Sequence, residues 1–228
     1  MNPVMTPEEM GLLARRGEKI SYETFLALAD EDTRAEWVDG DVIFMSPASN
    51  RHQEVSLFLI MLFGRYLERQ RIGRVFYESF QMKAGPDLPG REPDIIFVAT
   101  DHLHRVKDNY LDGPGDLVVE VVSLDSRKRD REQKFQEYQQ GGVLEYWLID
   151  PLNERADFYG LGTSPQSETS PQPSPWKGEG VYAAVPLDAQ GYYASAQLPG
   201  LRIDPQWLWQ DPMPEIPGIL AAARIGGG

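Results

Sequence analysis

Apolar positions recur along this chain with two periods, one near 3.6 and one near 2, and their order predicts an α/β fold. Residues 7 to 29 have helical spacing. Pro7 with Glu8 and Glu9 makes a typical helix start, and Ser21 caps a second run holding Tyr22, Phe25, Leu26 and Leu28, with Gly17 between the two. Glu36-Trp37-Val38 and Val42-Ile43-Phe44-Met45 flank Asp39-Gly40, the favoured pair for a type I′ hairpin because both turn positions need positive φ. Beyond Pro47 and Ser49-Asn50, a helix runs from about Arg51 to Arg69. Its apolar residues cover more than one face, which predicts burial on two sides. Strands follow at Val75 to Met82, Asp94 to Ala99 and Leu117 to Val122. A charged helix from about Arg127 to Gln140 then stops at Gly141-Gly142, and a strand from Glu145 to Asp150 is closed by Pro151.

The last third has a different pattern. Ala156 to Leu161 and Val181 to Pro186 read as strands around an insert, Gly162 to Gly180, rich in Ser, Pro, Gly and Gln. Such a segment buries too little apolar surface to offset its ordering entropy and is expected to be a flexible loop. Residues 191 to 209 regain aromatic content and are expected to pack back on the domain, while Gly226-Gly227-Gly228 should fray. One domain over residues 1–228, with a core at about 50–151, accounts for the whole pattern.

Composition narrows the function classes. The chain is 41% hydrophobic and 25% charged, ordinary for a globular protein. It has no cysteine, which excludes disulfides, thiolate zinc sites and a cysteine nucleophile, and fits a reducing compartment. No stretch approaches the roughly 20 apolar residues of a membrane span, and the N-terminus lacks a signal-peptide pattern. A cytoplasmic protein with no membrane partner is the expectation. The net charge of -13 counts against a non-specific nucleic-acid coat but leaves room for a local basic patch.

Three residues stand out chemically. Glu120 lies in Leu117-Val118-Val119-Glu120-Val121-Val122, a run apolar on both faces, where an ionised carboxylate is costly unless it is paired or holds a metal. Asp94, after Pro93, opens the preceding strand. It is either a solvated strand start or a second carboxylate beside Glu120, and two such groups suit a hard cation. Lys134 shares a helix face with Arg131, Phe135 and Tyr138. It either reaches the strand end or pairs with Asp130 four residues earlier.

The ordered set Glu36-Trp37-Val38-Asp39-Gly40, Met45-Ser46-Pro47 with His52, Pro93-Asp94, Asp116 to Ser123, Lys134, and Glu145-Tyr146-Trp147-Leu148-Ile149-Asp150-Pro151 resembles the Uma-two family, described as restriction endonucleases. The resemblance covers roughly residues 20 to 210. It implies a PD-(D/E)XK core: a restriction-endonuclease-like mixed sheet flanked by helices, here with an N-terminal helix and hairpin extension and a C-terminal β appendage. It also implies catalytic roles for Asp94, Glu120 and Lys134, with Asp94, Glu120 and the Val121 carbonyl as metal ligands. The strict motif has lysine two residues after the glutamate, where this chain has Val122, so the family pattern supplies Lys134 from the helix instead. Leu124 stands where proline is common in such sequences.

His52 is a core or capping histidine or a catalytic one, and Glu36 orients a metal-bound water or pairs with an arginine. Arg127, Lys128, Arg129 and Arg131 are a solvated face or contact the phosphate backbone. The expected function is Mg²⁺- or Mn²⁺-dependent hydrolysis of DNA with a 5′-phosphate product, with a homodimer as one assembly open to it. The rival is a non-catalytic binding or regulatory protein of the same fold. A glycosidase acid/base pair is a third reading, which leaves Lys134 without a role.

Overall fold

A computed structural model describes residues 11–12, 16–29, 33–123, 129–163 and 180–222 of the chain. The helix start at Pro7-Glu8-Glu9, Leu124, most of the insert and the Gly226-Gly228 end lie outside these residues. Ser21 caps α1 (Tyr22–Leu28), its hydroxyl accepting from the Thr24 amide. β1 (Ala35–Val38) and β2 (Asp41–Phe44) form the expected hairpin, with φ of 50° at Asp39 and 93° at Gly40. α2 (Asn50–Gln70) is capped by Ser49, whose hydroxyl accepts from the His52 amide.

The predicted strand from Val75 to Met82 is in fact two. β3 (Gly73–Tyr77) belongs to one sheet and β4 (Gln81–Lys83) to another, with the Phe76 and Phe80 rings stacked across the break. Next come β5 (Gly90–Arg91), β6 (Ile95–Ala99), β7 (Tyr110–Asp112) and β8 (Leu117–Val121). A π-helical turn (Arg129–Lys134) leads into α3 (Phe135–Gly141), which ends at Gly142 in the left-handed conformation. β9 (Glu145–Asp150), β10 (Arg155–Thr163) and β11 (Gly180–Ala184) complete the strands around the insert. β12 (Tyr193–Ala194), β13 (Arg202–Ile203) and α4 (Ile216–Ala222) form the C-terminal part. Among the described residues, no helix is long and apolar enough to cross a membrane.

The central sheet has the order β11-β10-β9-β8-β6-β3 and is mixed, since β8 and β9 are parallel while the other neighbours are antiparallel. Parallel neighbours need a crossover, and the π turn with α3 provides it. The second sheet, β2-β1-β5-β4-β7, brings the N-terminal hairpin against the middle of the chain. Only glycine fits at position 90, where a Cβ would lie 2.3 Å from the Tyr22 ring, so α1 seals against β5 there.

Side-chain alternation assigns each strand residue to one of two cores. Leu117, Val119, Val121, Ile95 and Phe97 face α2 and the C-terminal part, whereas Val118, Val122, Ile96 and Val98 face α3 and the second sheet. α2 is buried by the sheet on one side and by α4 on another, but Leu57 and Met61 remain exposed.

The C-terminal part does pack back, and a buried carboxylate fixes it. Glu145, at the start of β9, accepts from Trp147 Nε1 (2.6 Å), Tyr193 OH (2.7 Å), Ser195 Oγ (3.1 Å) and the amides of Ala196 and Gln197 (2.9 Å each). Glu145→Ala leaves those buried donors without an acceptor. The expected loss is at least about 3 kcal/mol of unfolding free energy. Urea denaturation measures it, and a loss below about 1 kcal/mol would mean that apolar packing alone docks the segment.

Candidate active site

The register between β6 and β8 places Ile96 opposite Val118 and Ile95 opposite Val119. Asp94 immediately precedes β6, and the same register carried one step further brings it level with Glu120, with its side chain bonded toward α2 while that of Glu120 is bonded toward α3. Asp94 is buried. Its Oδ2 accepts the Val121 amide at 2.6 Å, and its Oδ1 lies 3.0 Å from His52 Nε2 on the first turn of α2. The same imidazole nitrogen lies 3.6 Å from Glu78 Oε1, just after β3. His52, Glu78 and Asp94 each present one ligand atom, all within 4.8 Å of one another.

Glu120 is held from the helix side. Lys134 Nζ donates to Glu120 Oε1 at 2.9 Å, and Tyr138 OH donates to the same oxygen at 2.6 Å. Lys134, 1% exposed, also lies 2.9 Å from Glu36 Oε1 on β1. Glu36 in turn accepts from Arg91 Nη1 (2.9 Å) on β5, and Arg91 grips Glu137 on α3 through Nε and Nη2, both at 2.7 Å. Two parallel bonds in one plane make this the strongest kind of pair available to arginine. The chain Glu137–Arg91–Glu36–Lys134–Glu120 therefore ties helix, second sheet and central sheet together at the site.

Asp94, Glu120, Val121 and Lys134 line one cavity together with His52 and Glu78, and Arg34 and Glu92 form more of its wall. Its volume of about 40 Å³ admits water-sized groups only. Arg34 Nη2 pairs with Glu78 Oε1 at 2.9 Å. Glu92 Oε1 and Arg34 Nε are buried without hydrogen-bond partners, 4.0 Å apart.

The protonation states follow from these neighbours. Burial works against a charge on His52, but the Asp94 and Glu78 carboxylates outweigh it and raise its pKa to about 10. Hydrogen bonding to His52 lowers Glu78 to about 2 against the opposing effect of burial. Burial raises Glu92 to about 7 and pushes the Tyr138 hydroxyl well up. Burial raises the Asp94 carboxyl, and its hydrogen bond to His52 opposes that rise.

Arg131 sits elsewhere. It is committed to Asp150 at the end of β9 (3.0 Å) and to Asp157 on β10 (3.2 Å). Arg127, Lys128 and the side chain of Arg129 lie outside the described residues, as does the Asp130 side chain. Sequence reasoning missed Glu78, Glu92, Arg34 and Arg91. A signal existed for three of them: Arg91-Glu92 is a charged pair directly before Pro93-Asp94, and Glu78 interrupts the apolar run after Tyr77.

The mixed sheet flanked by helices recurs in a protein of known structure. A solved structure with this fold is the crystal structure of "a putative nuclease belonging to DUF820" from Anabaena variabilis. It aligns with a TM-score of 0.62 at 18% identity, covering 83% of this chain and 97% of its own. The chain belongs to the Uma2 family, whose model, described as "Putative restriction endonuclease", matches residues 22–189. No curated protein matches the chain.

Removing the lysine from the site tests the buried network. In EDTA, Lys134→Met leaves Glu36 and Glu120 without their shared cation, and the expected cost is about 3–5 kcal/mol. Adding Glu120→Gln to that variant should recover part of it. Chemical denaturation of the single and double variants checks both, and a wild-type midpoint for Lys134→Met would contradict the pairing.

Proposed function

We propose that this protein is a divalent-metal-dependent endonuclease hydrolysing DNA phosphodiester bonds, with a PD-(D/E)XK type of site. The convergence of Asp94, Glu120, Val121 and Lys134 from two strands and a helix onto one water-sized cavity carries the reading. The donors fit a hard cation, being carboxylates with one imidazole. Glu92 Oε1, buried there with no hydrogen-bond partner, adds to that fit. Asp94, Glu120 and the Val121 carbonyl would hold Mg²⁺ or Mn²⁺, with His52 and Glu78 as adjacent donors. When bound, such an ion lowers the pKa of a water and offsets charge on the phosphoryl oxygens.

The protein's own groups have distinct tasks. Lys134 presents a fixed positive charge on the cavity wall, where it orients the attacking water or faces a phosphoryl oxygen. Glu36 and Tyr138 act through Lys134 and Glu120 as positioning residues. The Val121 amide and His52 hold the Asp94 carboxylate in one orientation. The cavity is too small for a nucleotide, so the DNA strand stays outside and presents a phosphate to it.

The net charge of -13 favours a second reading, a nuclease-fold binding or regulatory protein that keeps the metal site without the chemistry. Two measurements separate them. Mg²⁺ or Mn²⁺ should raise the melting temperature of the wild type and leave that of Asp94→Asn unchanged. Cleavage of labelled DNA with Mg²⁺ should stop in EDTA and fall by at least about 10²-fold in Glu120→Gln and Lys134→Ala. Metal stabilisation without any cleavage would favour the second reading, and cleavage persisting in all three variants would sink the site.

A further inference from the structure

A second, larger cleft adjoins the catalytic cavity and shares Glu78 and Asp94 with it as walls. Its volume is about 410 Å³, ten times that of the cavity and within the range that holds a nucleoside-sized ligand. One wall is a single face of α2, where Asn50, Gln53, Glu54 and Leu57 follow the i, i+3, i+4, i+7 spacing. The other is Tyr77, the last residue of β3, which is an edge strand of the central sheet. Leu57 and Tyr77 are 57% and 55% exposed, so an aliphatic and an aromatic surface stand free on opposite sides. Ser56 is 8% exposed, lines the cleft, and its Oγ is buried without a hydrogen-bond partner.

The lining also says what the cleft is not built for. Among the described residues that line it there is no lysine or arginine, and Glu54, Glu78 and Asp94 contribute carboxylates. A phosphate-tracking groove needs the opposite charge. A flat apolar group with polar edges fits: it would stack on Tyr77, rest against Leu57, and offer hydrogen bonds to Ser56, Asn50 and Gln53.

We infer that this cleft receives the nucleobase next to the scissile phosphate. The inference rests on the nuclease reading above and sharpens its substrate class. A base can enter only when unstacked, so single-stranded or locally opened DNA is the substrate, with the phosphate at the cavity and the neighbouring base against Tyr77. Acceptor-rich walls select a base carrying an exocyclic amino group over thymine.

The test uses the Glu120→Gln protein with Mg²⁺, which keeps the cleft while suppressing cleavage, and short single-stranded oligonucleotides of dA or dT read by fluorescence anisotropy. The expected result is tighter binding of dA than dT. Tyr77→Ala should weaken dA binding by about 5- to 150-fold, the range for one lost base stack. Tyr77→Phe should retain the affinity, and Ser56→Ala should narrow the dA-to-dT ratio. A 2-aminopurine placed along the strand should be quenched at one position in the Tyr77 protein and not in Tyr77→Ala. Tyr77 is exposed, so a melting curve confirms that Tyr77→Ala stays folded. Unchanged affinity and base preference in Tyr77→Ala, with wild-type cleavage of DNA intact, would overturn the cleft assignment and leave the nuclease reading standing. No binding or cleavage of any DNA would overturn both.

Discussion

Buried carboxylates at the end of a fully apolar strand are the constraint around which this molecule is arranged. Glu120 is 3% exposed in a sheet whose neighbouring side chains are valine, leucine and isoleucine. A carboxylate there must find a cation or give up its charge. Lys134 answers from the helix, and because its ammonium is itself buried, it needs Glu36 as well. Glu36 then needs Arg91, and Arg91 reaches Glu137. Each link recruits the next element, so the hairpin, the short strand β5 and α3 are oriented by one run of compensating charges. The π-helical turn belongs to the same arrangement, since it places Lys134 just ahead of the regular helix. Such local widening of a helix is common at functional sites.

The same constraint shapes the chemistry. Four carboxylates, those of Glu78, Glu92, Asp94 and Glu120, line the small cavity against Arg34, His52 and Lys134. Burial raises the pKa of Glu92 to about 7. A cavity with this donor excess and room only for water-sized groups is suited to a small cation. The strongly negative chain as a whole is not suited to grip long stretches of DNA. Under the proposed function, a local site beside a base-sized cleft would reconcile the two facts, with affinity coming from a metal-bound phosphate and one stacked base.

Much of the fold was legible in the sequence. Ser21, Asp39-Gly40 and the apolar run around Glu120 marked elements by local chemistry that tertiary packing did not override. Asp94 and Glu120 stood out as carboxylates at neighbouring strand ends, but their opposite commitments, Asp94 to His52 on α2 and Glu120 to Lys134 and Tyr138, depend on tertiary packing. Lys134 was ambiguous by spacing, and the family resemblance rather than periodicity assigned it to the site. The second sheet was largely invisible, since β4, β5 and β7 are two or three residues long and show no period. Glu78 was lost for a related reason: a single strand read over Val75 to Met82 hid a break between two sheets. Long-range partners such as Arg91 with Glu36, 55 positions apart, leave no local trace at all.

The most direct test of the central claim is a crystal of the wild-type protein soaked in Mn²⁺, with anomalous scattering used to locate the metal. The expected result is a peak in the cavity bounded by Asp94, Glu120 and Val121, with the Lys134 ammonium still bonded to Glu120. A cavity without a peak at saturating Mn²⁺, with metal found only on surface carboxylates, would contradict the assignment of this site as a metal-dependent centre.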